Sequence, residues 1–228
     1  MRQTWIELLF AHWPLPPDTL RPLIPAGLSL DTYDRRAWLG IAPFRMVDVH
    51  PRLTPSVPWL SAFPELNVRT YVTVGGKPGV FFFSLDAGNP VAVMLARALF
   101  HLPYFDARFR VARSLDTIAY TSRRTDRRGK PAELIAKYAP TSRVSRSQPG
   151  SLEAFLTERY CLYSAGPRGA IYRGEIHHEQ WPLQPAEAEI ERNTMAAASG
   201  ITLPDIPPLL HYAERLEVLI WPIARAQN

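Results

Sequence analysis

The chain has 228 residues and a single cysteine, Cys161. An internal disulfide is therefore excluded, and a reducing compartment is the natural setting. Lysine is nearly as scarce. Lys77, Lys130 and Lys137 are the only three, so arginine supplies 23 of the 26 basic residues. Set beside 23 prolines, this reads as a compositional bias rather than an adaptation to nucleic acid. A net charge of +5 bears on solubility more than on function. No run of about 18 apolar residues is present, so no membrane-spanning helix is expected. The first residues lack the long apolar region of a signal peptide, because Glu7 and His12 interrupt it. A cytoplasmic location is the expectation. Phosphate-loop, Gly-x-Gly-x-x-Gly and Gly-x-Ser-x-Gly motifs are missing, as are repeats and heptads, and no cofactor is expected.

Hydrophobic residues make up 46% of the chain, enough for a sizeable core. With no convincing boundary, residues 1–228 are expected to form a single domain. Thr4–Trp13 is apolar at both parities and reads as a buried strand. A short helix is expected around Thr19–Ile24. A hairpin of Leu28–Thr32 and Ala37–Met46 is expected around Tyr33–Arg36. The proline-rich stretch Val49–Pro64 reads as a loop. Glu65–Val74 and Val80–Leu85 form the clearest hairpin, joined by Gly75-Gly76-Lys77-Pro78-Gly79. Asn89 caps a helix over Pro90–Phe100. Strands are expected at Phe109–Arg113, Thr117–Arg123, Glu133–Ala139, Arg159–Ser164, Ala170–Glu179 and Leu216–Pro222. Ser151 caps a helix to about Glu158, and Ala186–Ala197 reads as a weak helix. Many strands and few helices give an α+β, β-rich class built on a curved antiparallel sheet or barrel, with sandwich and barrel both open.

The most informative strand is Glu65-Leu66-Asn67-Val68-Arg69-Thr70-Tyr71. Strict alternation puts Glu65, Asn67, Arg69 and Tyr71 on one face. If that face looks inward it makes a site. Arg69 can hold a carboxylate in a fork, Glu65 can move a proton or neutralise Arg69, and Tyr71 can donate a hydrogen bond. The competing reading is a structural Glu–Arg network on an outward face. His12 can line a pocket beside Trp13. His177 and His178 are adjacent on a strand and point to opposite faces, so no metal site is expected. Asp86 is expected to end its strand and turn the chain toward the Asn89 cap. Cys161, among Tyr160, Leu162 and Tyr163, reads as a buried inert thiol. The basic run Arg123–Lys130 reads as a solvated turn, with a phosphate-contact loop as the sharper alternative.

Several blocks carry a resemblance to a known family. They include Phe10-Ala11-His12-Trp13, Leu23–Leu28, Glu65–Val72, Pro78–Asp86, Leu156–Tyr160 and Ile220-Trp221-Pro222. Together they resemble the YqjF-like family of bacterial proteins, and the likeness covers nearly the whole chain. That family is distantly similar to acetoacetate decarboxylases, whose signature is Gly-Arg-Glu-x-x-Gly-aromatic-Pro-Lys-Lys. Residues 96–105 keep the spacing of its arginine and proline as Arg97 and Pro103. The resemblance implies a β-rich barrel or cone with an internal pocket and a few peripheral helices. It also implies that the residue after Pro103 enters that pocket. That residue is Tyr104, where the decarboxylases have their Schiff-base lysine, and a phenol cannot condense with a ketone. Arg97 can reach a loop carbonyl or a carboxylate such as Glu65 or Asp86.

The expected function is therefore a small-molecule pocket protein. One form is an enzyme acting on an organic acid or ketone without a Schiff base, using Glu65, Arg69 and Tyr104, with Asn67, Tyr71, Arg97 and His12 contacting ligand. The alternative is a non-catalytic ligand-binding or sensing domain in the same cavity. A nucleic-acid-associated protein using Arg123–Lys130 is the weakest reading. Tyrosine in place of lysine at position 104 has a direct check. Borohydride reduction in the presence of a β-keto acid is expected to leave every lysine unmodified by mass spectrometry. A reduced adduct accompanied by turnover would show that a displaced lysine had taken over.

Overall fold

The computed structural model describes residues 1–50 and 61–226. In chain order its elements are β1 (Arg2–Leu15), α1 (Pro17–Leu20), β2 (Ser29–Leu30), β3 (Ala37–His50), β4 (Phe63–Val74), β5 (Lys77–Ala87) and α2 (Pro90–Phe100). They continue with β6 (Tyr104–Ser114), β7 (Thr117–Arg124), β8 (Glu133–Pro140), α3 (Leu152–Thr157), β9 (Cys161–Ala165) and β10 (Ile171–His178). The last are β11 (Gln184–Asn193), α4 (Met195–Ala198), β12 (Leu209–Ile220) and β13 (Ala224–Arg225). The β-rich class and the curved sheet are as the sequence implies.

The sheet closes on itself, and it does so twice. One circuit runs β4-β3-β1-β12-β11-β8-β7-β6-β5 and back to β4. A second leaves β12 for β10 and β9 before returning through β5 to β4. Two strands fork to allow this. The start of β5 pairs in parallel with β9 at Val80↔Leu162, while its end pairs in parallel with β6 at Leu85↔Tyr104. The start of β12 meets β11 at Tyr212↔Gln184, and its end meets β10 at Ile220↔Ile176. Closure removes the open edges that would invite aggregation.

The shared wall, β1-β3-β4, is consequently buried on both faces, which explains why β1 is apolar at both parities. Leu9, Ala11, Ile41, Leu66 and Val68 face one core. Leu8, Phe10, Ala42, Phe44 and Tyr71 face the other. Leu66 and Val68 are fully buried, and truncating such a residue to alanine costs ~2–5 kcal/mol. Three bulges keep side chains aimed at the second core as the strands curve. Glu7 and Asp48 hold left-handed backbones at φ 55° and 54°, where the β1–β3 register slips. On β5 the register slips at Phe83, since Val68 faces Ser84 while Arg69 faces Phe82. Each bulge flips the alternation, so Val80 and Phe82 are joined on one face by Leu85 rather than Ser84.

Three sequence expectations change. Residues 186–193 form β11 rather than a helix, followed only by the short α4. Alanine and glutamate favour helices in isolation, but the segment alternates with a period of two. Ala186, Ala188 and Ile190 pack on the core, and the intervening glutamates face outward beside β8. The expected Leu28–Thr32 hairpin partner is also different. Only Ser29–Leu30 is strand, and it pairs with β4, leaving a Tyr33↔Arg36 bridge around the left-handed Asp34 and Arg35. Asp86 does not end its strand. It lies inside β5, buried against Arg124 of β7 with 2.6 Å between Oδ1 and Nη2. Of the loop expected at Val49–Pro64, β3 and β4 take the two ends, and residues 51–60 lie outside those described. No described helix is long and apolar enough to cross a membrane.

Candidate functional site

The second core is not filled. A cavity of about 380 Å³ opens in it, between the β1-β3-β4-β5 wall, α2, and the segment from α3 to Trp181. Its walls are mostly aliphatic and aromatic, with Trp5, Phe44, Phe82 and Trp181 among them. Across this apolar surface β4 lays one polar row, Glu65, Asn67 and Arg69, each at most 7% exposed. Tyr104 joins them from the start of β6.

Local structure explains how Tyr104 arrives there. Asn89 caps α2 by accepting from the Val91 and Ala92 amides at 3.0 and 3.2 Å. The helix ends at His101, whose left-handed backbone (φ 52°) reverses the chain into Leu102-Pro103. The Leu85 amide then bonds the Pro103 carbonyl at 3.0 Å, which starts the parallel pairing of β6 with β5. Arg97 fixes the same corner by donating from Nη1 to the Tyr104 carbonyl at 2.8 Å. From there the Tyr104 hydroxyl donates to Glu65 Oε2 at 2.8 Å. The backbone of Glu65 is held from the opposite core, where the Tyr120 hydroxyl lies 2.8 Å from its carbonyl and 3.1 Å from that of Phe44.

The electrostatics follow from burial. Desolvation pushes the Glu65 carboxyl up to about 8, the Tyr104 hydrogen bond opposing and the Asp86 charge adding to it. At neutral pH Glu65 is therefore mainly a neutral acid. Burial, and then the Glu65 charge, hold the Tyr104 phenol well above its ordinary value. Arg69 has no carboxylate within ion-pairing distance among the described residues. It lies over the Phe10 ring at 5.0 Å, and its Nε–H finds no acceptor. Asn67 Oδ1 and Trp181 Nε1 are likewise buried without partners. A row of unmet polar atoms facing an apolar cavity is costly unless a ligand meets them.

The structure thus brings Glu65, Asn67, Arg69 and Tyr104 to one cavity, but Glu65 and Arg69 do not neutralise each other. Four strand residues apart, their α-carbons are separated by roughly 13 Å. The other three expected residues lie behind or beside the site. Tyr71 continues the row, yet its hydroxyl turns away to His12 Nε2 at 2.6 Å, closing the wall. Burial, then the nearby Arg69 and His211, keep His12 neutral. Arg97 lies outside the cavity, because the Tyr104 carbonyl holds its guanidinium. Two of the five cations of the basic run are tied into the fold: Arg124 is buried on Asp86 and under Phe105, and Arg128 pairs with Asp126, while Arg123, Arg127 and Lys130 are exposed.

Arg159 and His178 are among the polar residues of the cavity that carry no signal strong enough to find from sequence. Arg159 lies just after α3, with Nη1 2.6 Å from Asp31 Oδ2 and its guanidinium over Phe155 and Tyr71. Unlike Arg69, it already has its carboxylate. His178 lines the cavity with Nδ1 2.7 Å from the Glu179 carbonyl and its ring stacked on Tyr160. Desolvation lowers its pKa. Its neighbour His177 faces out, as strand alternation requires.

Residues 2–217 match the DUF2071 family of uncharacterised conserved proteins. The chain belongs to that family. It is 49% identical to the uncharacterised protein YqjF of Bacillus subtilis (strain 168), over 99% of this chain and 92% of that one. Solved structures of similar fold include the enduracididine biosynthesis enzyme MppR complexed with pyruvate, at TM-score 0.67 and 11% identity, covering 98% of this chain and 89% of that one. The acetoacetate decarboxylase of Legionella pneumophila aligns at TM-score 0.63 and 15% identity, over 98% and 87%. An acetoacetate decarboxylase-like enzyme from Sphingomonas wittichii RW1 aligns at 0.64 and 14%, over 100% and 93%. What is shared at these identities is the fold. None of the three lysines lines the cavity.

The raised Glu65 carboxyl makes stability depend on pH. Unfolded, the group titrates near its ordinary 4.5; folded, at about 8. Between those values the folded protein holds a proton that the unfolded chain has released, so stability is greatest below 4.5 and falls as pH rises through 8. Glu65→Gln removes this term. The wild-type melting temperature is expected to drop relative to the variant by roughly 5–10 °C from acid to mildly alkaline pH. Parallel melting curves at all pH values would mean that Glu65 is charged in the folded protein.

Proposed function

We propose that the cavity binds an oxo acid and that the protein moves a proton on it without forming a covalent intermediate. The observation that carries this reading is the uncompensated Arg69 on the same strand face as a Glu65 that burial keeps protonated. Arg69 Nε–H and Trp181 Nε1–H are free donors, and the Tyr104–Glu65 pair, which spends one hydroxyl hydrogen on its own bond, has a second to offer when Glu65 is protonated. A ligand head rich in acceptors, a carboxylate and a carbonyl, suits that set. Arg69 anchors the carboxylate. Glu65, in its ionised fraction, takes a proton from the carbon next to the carbonyl. The C–H electron pair passes into an enolate, and the Tyr104 hydroxyl, released as Glu65 takes up the proton, donates to its oxygen. Return of the proton from Glu65 reverses the step. The fold shared with MppR, which has been seen with pyruvate, supports the choice of oxo acids as probes. The position of Tyr104 and the absence of lysine from the cavity argue against Schiff-base decarboxylation.

Exchange of C3 hydrogens in D₂O, followed by NMR with pyruvate and 2-oxobutyrate, tests the reading. The wild type is expected to accelerate exchange, with a rate that rises with pH through about 8 as Glu65 ionises. Glu65→Gln is expected to abolish it, and Arg69→Gln to weaken binding at least tenfold, the loss of one charge-assisted hydrogen bond or more. Binding that depends on Arg69 without any exchange would leave a ligand-binding domain and no enzyme. Exchange unaffected by either substitution would overturn the assignment of the site.

A further inference from the structure

Among the described residues, the buried polar side-chain atoms of the cavity left without a partner are few: Arg69 Nε and Trp181 Nε1, both donors, and the acceptor Asn67 Oδ1. Tyr104, Arg159 and His178 also line the cavity but already hold partners, and most of the remaining lining is carried by rings such as Trp5, Phe44 and Phe82 and by aliphatic chains. A volume of about 380 Å³ falls in the range, about 300–1,000 Å³, that holds drug-sized ligands. A three-carbon acid would meet the polar row and leave the apolar walls untouched. The cavity also has a direction. Its polar row is deeply buried, whereas Leu95 and Leu99 of α2 line it and are 45% and 62% exposed. Those two leucines therefore stand where the cavity meets solvent. Apolar side chains at such a boundary gain most if an apolar part of the ligand passes between them and water.

Resting on the oxo-acid reading above, we infer that the ligand is an oxo acid with an extended apolar tail, its head on Asn67 and Arg69 and its tail running along Trp5 and Phe44 to emerge past Leu95 and Leu99. The polar residues then set the reaction, and the apolar walls and α2 set which acid is taken. A neutral hydrocarbon is excluded by Arg69, whose charge would stay buried and unmet. A short acid is bound by the head contacts alone.

Calorimetric titration at neutral pH with pyruvate, 2-oxobutyrate, 2-oxohexanoate and 2-oxooctanoate tests this, using the wild type, Arg69→Gln and Leu99→Glu. Affinity is expected to rise about fourfold per added methylene, the ratio that corresponds to ~0.8 kcal/mol of buried CH₂. Leu99→Glu, at an exposed position, is expected to flatten the longest steps of the series by placing a charge beside the emerging tail. Affinity that stays level or falls with length, while pyruvate binding still depends on Arg69, would overturn the tail and leave the oxo-acid reading standing. An unchanged slope in Leu99→Glu would overturn the exit past α2. A series in which no member binds would sink the oxo-acid reading itself.

Discussion

A carboxyl group enclosed by rings and aliphatic chains must either find a cation or give up its charge. Glu65 has only a phenol, and four residues along the same strand Arg69 has a benzene ring and the Tyr71 hydroxyl but no carboxylate among the described residues. Pairing the two would have removed both problems, but the roughly 13 Å between their α-carbons along β4 keeps them apart in the structure. The fold supports this unfavourable arrangement from outside. Tyr120 holds the backbone of Glu65, the His12–Tyr71 hydrogen bond closes the wall beyond Arg69, and the α2 corner delivers Tyr104. Rigid support of groups whose polar needs are unmet is what a preorganised site requires.

The contrast with Asp86 sharpens the point. It too is buried, and desolvation raises its carboxyl to about 6, but Arg124 engages it with two nitrogens. Arg159 is likewise matched by Asp31. The chain thus satisfies its buried charges where they only tie strands together. It leaves the row on β4 open, where a cavity gives access. The double closure of the sheet makes that possible. The β1-β3-β4 wall has a packed apolar core on one side, so the other side can line a cavity without loss of the fold.

Much of this was legible in the sequence, for identifiable reasons. The polar row stood out because Glu65, Asn67 and Arg69 alternate with Leu66 and Val68, and a period of two needs no tertiary information. The bulges at Glu7, Asp48 and Phe83 were not legible, since each depends on strand curvature rather than on residue type. For the same reason the partners of β2 and the forks of β5 and β12 could not be read. Residues 186–193 are ambiguous in sequence, because alanine and glutamate favour a helix while their alternation has the period of a strand. Tyr71 and His12 were placed among the ligand contacts because alternation gives a face but not a side-chain direction. Arg159 and His178 were overlooked because a single arginine after a helix, or one histidine of a pair, is indistinguishable from scaffold until the walls of the cavity are known.

The central claim is that the cavity holds a neutral carboxylic acid beside an uncompensated arginine. Carbon-13 NMR of the Glu65 side-chain carboxyl, titrated from acid to alkaline pH and assigned through Glu65→Gln, measures this directly. A single inflection near 8 and a protonated shift at neutral pH are expected. An inflection near the ordinary 4.5 would mean that Glu65 is charged when folded, and the acid–base reading of the site would fall with it.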